Sequence, residues 1–142
     1  MRSSIDTNVI SAIWTAQSNH LEAKSLLTGA RGRGALVICG VVYAELLAHP
    51  FVEPATTETF LTKMGIEVDC GMDQAVWREA GVRYRAHSER RRLAKAGAHR
   101  RRVADFVIGA HALLRADCLI TFNASDFRHD FPELLIAPEI NQ

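Results

Sequence analysis

Four carboxylates stand near the ends of short apolar segments: Asp6 in "SIDTN", Glu45 in "VVYAELL", Asp105 in "VADFVIGAHAL" and Asp126 in "NASDF". Clustered carboxylates repel one another unless a cation neutralises them. Hard divalent cations such as Mg²⁺ and Mn²⁺ prefer such oxygen donors. A metal held this way polarises a phosphate and lowers the pKa of an attacking water, which suits phosphodiester cleavage. The three cysteines, Cys39, Cys70 and Cys118, are isolated, and no histidine cluster accompanies them. Zinc is therefore not implied, nor is a disulfide framework.

Each acid also has a plainer role. Asp6, Thr7 and Asn8 are all good helix N-caps. Glu45 lies in a helix that is apolar nearly all round (Val41, Val42, Tyr43, Leu46, Leu47), which predicts burial and the need for a partner. Asp105 suits the first turn of a helix, where the dipole favours negative charge. Asp126 suits a turn or a cap.

The segments that must position these residues alternate between strand and helix. Strands are predicted at Ser3 to Ile5, Ala35 to Cys39, Cys118 to Thr121 and Leu134 to Ala137, with "IEVD" as a further candidate. Helices are predicted at Asn8 to Trp14, His20 to Ala30, Val41 to Ala48, Thr56 to Met64 and Arg102 to Ala116. Met72 to Ala96 forms one long helix or two, ending near Gly97. Continuously apolar strands between helices predict an α/β fold, a parallel sheet covered on both faces. Ligands in such folds sit at the carboxyl ends of the strands. Asp6, Asn123 and Asp126 follow strands, Glu45 opens the helix after "ALVIC", and Asp105 opens the helix before "CLIT"; all can reach one sheet edge. One domain over residues 1–142 is expected.

The chain has 142 residues, 48% of them apolar and 23% charged, as in an ordinary globular domain. No apolar run approaches the roughly 20 residues of a membrane helix. With no leader-like N-terminus, a cytoplasmic location is expected. Net charge is only +1, yet nine of the 17 Lys and Arg residues lie between Arg83 and Arg102, opposed there by Glu89 alone. That stretch carries +8, which leaves −7 for the rest. A basic strip on an acidic body predicts a polyanionic partner, or else a solvated helix face. Arg90, Arg91, Arg92, Arg100, Arg101 and Arg102 are the candidate contacts to a nucleic-acid backbone. Trp77 and Tyr84 lie near them and could stack on bases, with core packing the plainer role for Trp77. His87 and His99 are candidate general acids.

"IDTNVIS", "VVYAELL", "VADFVIGAHAL" and "CLITFNASDF", in that order, resemble the PIN-domain ribonucleases, and among them the VapC-type toxins of bacterial toxin–antitoxin pairs. The resemblance spans almost the whole chain. It implies a single three-layer α/β/α domain with a short central parallel sheet. It implies an Mg²⁺- or Mn²⁺-dependent endoribonuclease, a homodimer and a small cognate antitoxin. The family's acidic positions fall on Asp6, Glu45, Asp105 and Asp126. Thr7, Asn8 and Thr121 would support the metal ligands, and Asn123 would orient a water. The arginine-rich "AHRRRVAD" departs from many relatives, which have a Gly- or Pro-containing turn there.

Two other functions compete. One is a non-catalytic nucleic-acid-binding regulator on the same fold. The other is a phosphatase with Asp6 as nucleophile, disfavoured because position 8 holds Asn where such enzymes carry a second Asp.

Overall fold

Ser3, Ser4 and Ile5 are buried in succession. Side chains alternate across a strand, so β1 (Arg2–Ile5) is covered on both faces. It is the middle strand of a five-stranded sheet ordered β3-β2-β1-β4-β5, every pair of which is parallel. The remaining strands are β2 (Ala35–Cys39), β3 (Ile66–Asp69), β4 (Cys118–Ile120) and β5 (Ile136–Ala137). The chain winds outward from β1 through β2 to β3, then returns to the other side of β1 for β4 and β5. Strand order thus reverses between β1 and β4, which opens a crevice at their carboxyl ends. The computed structural model that shows this describes residues 1–94 and 101–137.

Helices α1 (Thr7–Trp14) and α2 (His20–Arg33) join β1 to β2, and α3 (Gly40–Leu47) and α4 (Pro54–Met64) join β2 to β3. Then α5 (Gln74–Ala94) and α6 (Val103–Arg115) lead into β4, and α7 (Ala124–Asp130) into β5. Helix α6 is the innermost, with every residue from Phe106 to Ala112 buried. Its Phe106 ring stacks edge-on against Tyr84 of α5, with centroids 5.0 Å apart. Phe131, just after α7, packs beyond it. No helix among the described residues is long and apolar enough to cross a membrane.

Helix α5 is one helix as far as Ala94, and the expected end near Gly97 lies outside the described residues. Sequence expectation and structure part in three places. Helix α7 is not among the expected helices: its seven residues show too little periodicity, and only burial of Phe127 and Asp130 reveals its inner face. Helix α3 buries only Val42 and Leu46, four residues apart, so Glu45 is exposed rather than buried. Trp77 is 50% exposed rather than packed in the core.

Gly109 is required by close approach. A Cβ there would lie 2.3 Å from the ring of the fully buried Phe131. Gly109→Ala is expected to destabilise the protein by about 1–3 kcal/mol, the usual range for overpacking, measured by urea denaturation. Unchanged stability would mean that Phe131 and α7 can shift freely.

Candidate functional site

Asp6 sits at the switch point. Its backbone N–H continues the β1–β4 ladder by donating to the Ile120 carbonyl at 2.9 Å. This places its side chain beside Thr121, whose hydroxyl donates to Asp6 Oδ2 at 2.8 Å. Asp6 occupies the N-cap position of α1, but its side chain makes no capping hydrogen bond. The plain capping role does not hold. Asn8 reaches the same place from the first turn of α1: its Oδ1 accepts from the Phe122 N–H at 3.3 Å, and its Nδ2 lies 3.5 Å from Thr121 Oγ1. The Asn123 N–H also donates to Thr121 Oγ1, at 3.0 Å. Thr121 is therefore the hub that fixes the loop after β4 against Asp6. Asn123 itself is exposed at the rim.

Two further acids bear on Asp6. Burial drives its pKa up to about 6, and the negative charges of Asp105 and Glu45 push it the same way against the Thr121 hydrogen bond. Glu45 is oriented by Thr7, whose hydroxyl donates to Oε1 at 2.9 Å. Asp105 Oδ2 accepts the Arg102 backbone N–H at 3.2 Å, which ties off the start of α6. Asp105 thus serves its helix and still faces Asp6 electrostatically. The donor set is all-oxygen and mutually repelling, which fits a hard divalent cation. Among the described residues, no three His, Cys, Asp or Glu side chains are closely enough grouped to form a ready-made metal cluster.

Asp126 does not join these three. It is part-buried in the first turn of α7 and is one of the residues lining a separate cleft with His87 and Arg91. Its backbone carbonyl accepts from Arg101 Nη1 at 3.0 Å. The turn after β4 carries Asn123, not Asp126, to the rim beside Thr121.

The basic stretch divides in a similar way. Arg101 is buried and pairs with Asp130, between the rings of Phe106 and Phe127. It is a structural clasp rather than a free surface contact. Arg90 Nη2 also reaches Asp130, at 2.5 Å. Arg83 pairs with Glu79 and Glu133, and Arg85 with Glu89. Arg92 and Arg102 are exposed and Arg91 is part-buried. Arg100 and His99 lie outside the described residues. Tyr84 is occupied by Phe106, which leaves Trp77 as the exposed aromatic of the pair.

Sequence reasoning missed the Asp130 clasp. Its only signal was a charged residue flanked by Phe127 and Phe131 at helical spacing. It also missed a buried chain in which Ser4 Oγ lies 3.3 Å from His111 Nδ1 and His111 Nε2 lies 3.0 Å from Asp69 Oδ2. Burial lowers the His111 pKa, with Asp69 opposing. Ser4 is 1% exposed; no substrate can reach it, so this chain braces β1, α6 and β3 rather than supplying a nucleophile.

A family model for the PIN domain matches residues 4–129, and the chain belongs to that family. Among solved structures it is similar to VapBC-1 from nontypeable Haemophilus influenzae, at 19% identity and a TM-score of 0.63 over 96% of each chain. It is also similar to VapBC2 from Rickettsia felis bound to a DNA fragment from their promoter, at 18% identity and a TM-score of 0.56. That match covers 96% of this chain and 97% of the other. At such identities the likeness concerns the fold. No curated protein matches the chain.

The raised pKa of Asp6 has a stability consequence. The folded state holds this proton more tightly than the unfolded chain, so the penalty is absent below about pH 4, grows as pH rises toward about 6, and is full above it. A shift of about two units corresponds to roughly 3 kcal/mol at most. Metal-free Asp6→Asn is therefore expected to be more stable than the wild type at pH 7.5, with the gap closing at pH 4. Urea denaturation in EDTA at the two pH values checks this; a variant less stable than wild type at pH 7.5 contradicts it.

Proposed function

We infer that the protein is a divalent-metal-dependent endoribonuclease of the VapC toxin type. The observation that carries this is the burial of Asp6 at the sheet's switch point, under the charge of Asp105 and Glu45. Asp105 serves the start of its own helix, but the repulsion that it and Glu45 exert on buried Asp6 stabilises nothing in the fold. The fold gains instead a site for Mg²⁺ or Mn²⁺, held by Asp6, Glu45 and Asp105. When bound, that cation supplies Lewis-acid polarisation of the phosphate and of the attacking water.

The chain's own residues do the rest. Thr121 and Thr7 hold the Asp6 and Glu45 carboxylates in fixed rotamers. Asn123, at the rim, orients the water. Arg91, Arg92 and Arg102 meet the RNA backbone, which sets register without reading sequence. Asp126 is left out of this proposed set because it lines a different cleft and is not among the charges that act on Asp6. The similarity to VapBC structures supports a small antitoxin partner, and a homodimer in a cytoplasmic setting completes this reading.

A non-catalytic nucleic-acid-binding module is the second reading. It is favoured by the lack of a pre-assembled metal cluster among the described residues. Cleavage of a mixed RNA pool with Mg²⁺ or Mn²⁺ separates the two. Cleavage is expected for the wild type, to stop with EDTA, and to fall at least a hundredfold, about 3 kcal/mol, in folded Asp6→Asn or Asp105→Asn. Undiminished cleavage in excess chelator removes the metal. A folded, partner-free wild type that binds RNA and cuts none moves the binding module ahead.

A further inference from the structure

A cleft of about 270 Å³ opens between α5, α7 and the start of α6. Its walls include His87, Arg90 and Arg91 of α5, Arg101 ahead of α6, and His129 and Asp130 of α7. None of the three converging acids lines it. Asp130 is buried and already over-matched: Arg101 and Arg90 both pair with it, and His87 Nδ1 lies 3.5 Å away. Arg91 adds a further charge and makes no ion pair among the described residues. Two nitrogens in these walls, His87 Nε2 and Arg91 Nε, are buried without a hydrogen-bond partner among the described residues. Buried orphans of this kind are rare in folded proteins and point to a ligand, ion or water. His87 is 8% exposed, so its second nitrogen has no bulk water to fall back on.

The chemistry selects the ligand. Excess positive charge with an unpaired guanidinium N–H at Arg91 suits an oxyanion, and guanidinium groups suit phosphate above others; His87 Nε2 becomes a second donor when the ring takes up a proton. The volume is near the lower bound of about 300 Å³ for small-molecule pockets, enough for a phosphate with part of its nucleoside. Asp126 also lines the cleft. Its carboxylate repels an acidic peptide but can accept from a ribose 2′-hydroxyl. Arg101 connects the cleft to the acid edge, with Nη1 on Asp130 and Nε 3.9 Å from Asp105 Oδ2. The cleft and the acid edge are therefore neighbours across one buried arginine.

We propose that this cleft is a phosphate subsite that grips RNA beside the acid edge, with Arg91 and His87 as the binding pair and the Arg101–Asp130 clasp as its fixed floor. The identity of the polymer rests on the nuclease reading; the anion site does not. Burial holds the His87 pKa below the usual histidine value, Asp130 opposes this, and Arg101, Arg90 and Arg91 reinforce it. An anion in the cleft offsets those arginines and raises it.

The test begins with metal-free wild type and inorganic phosphate, followed through the His87 ring by NMR. Phosphate is expected to shift the His87 resonances and raise its pKa, and Arg91→Gln to abolish both effects. The second arm measures single-stranded RNA binding to uncleaving Asp6→Asn in EDTA. Adding Arg91→Gln is expected to weaken binding roughly tenfold and to lower the salt slope by about 0.7, whereas Arg85→Gln, whose guanidinium is outside the cleft, leaves both unchanged. A His87 ring that ignores phosphate, or Arg91→Gln binding like its parent, overturns the proposal. Phosphate binding without an Arg91 effect on RNA overturns the RNA assignment, as does displacement of phosphate by poly-glutamate but not by RNA. Arg91-dependent RNA binding by a wild type that cuts nothing with Mg²⁺ would sink the nuclease reading and leave the cleft standing.

Discussion

The protein is organised around one unfavourable placement, a nearly buried carboxylate in the field of two like charges. Asp6 is 5% exposed and lies within the field of Asp105 and Glu45. Left alone, such a group would be hydrated or replaced. It persists because neighbouring structure over-determines it: the β1–β4 ladder fixes its backbone and Thr121 fixes its side chain. Strain of this kind gathers at functional sites, and the rest of the molecule must be stable enough to carry it.

Much of that support lies behind the site. Buried Asp130 and Arg101, joined from the surface by Arg90, form a knot that holds α5, α6 and α7 together, with Phe106 and Phe127 packed against the Arg101 guanidinium. Removing one partner of such a knot leaves a buried charge unpaired, which is why these charges behave as structure. The same knot fixes Arg101 with its Nε 3.9 Å from Asp105 Oδ2, so its charge is shared between Asp130 and Asp105. On the other side, the Ser4–His111–Asp69 chain ties β1 to α6 and β3. The acid edge is thus braced by polar networks on both flanks of the central strand.

How much of this the sequence disclosed differs by level. The apolar strands and the early Asp6 were legible, because a parallel sheet writes itself as short β-branched runs and its switch point follows from strand order. Asp6 and Asp105 stood out because they flank such runs. Burial was expected for Glu45 because its helix looks apolar all round, yet only Val42 and Leu46 are buried and the carboxylate is exposed. The surroundings of Asp126 were not legible, because α7 is too short to show a period. Arg101 looked like its neighbours in "HRRRV", since nothing in a run of arginines marks the one that turns inward to Asp130. Pairings across long sequence separation were the common blind spot.

The central claim is that Asp6, Glu45 and Asp105 together hold one divalent cation. Calorimetric titration of Mn²⁺ into the metal-free wild type at pH 6, in buffers of different ionisation enthalpy, addresses it most directly. Because Asp6 titrates near this pH, binding should release about half a proton at pH 6 and progressively less by pH 8. Asp6→Asn should bind far more weakly and release none. Mn²⁺ binding that is absent, or that proceeds in Asp6→Asn as in the wild type, would contradict the account.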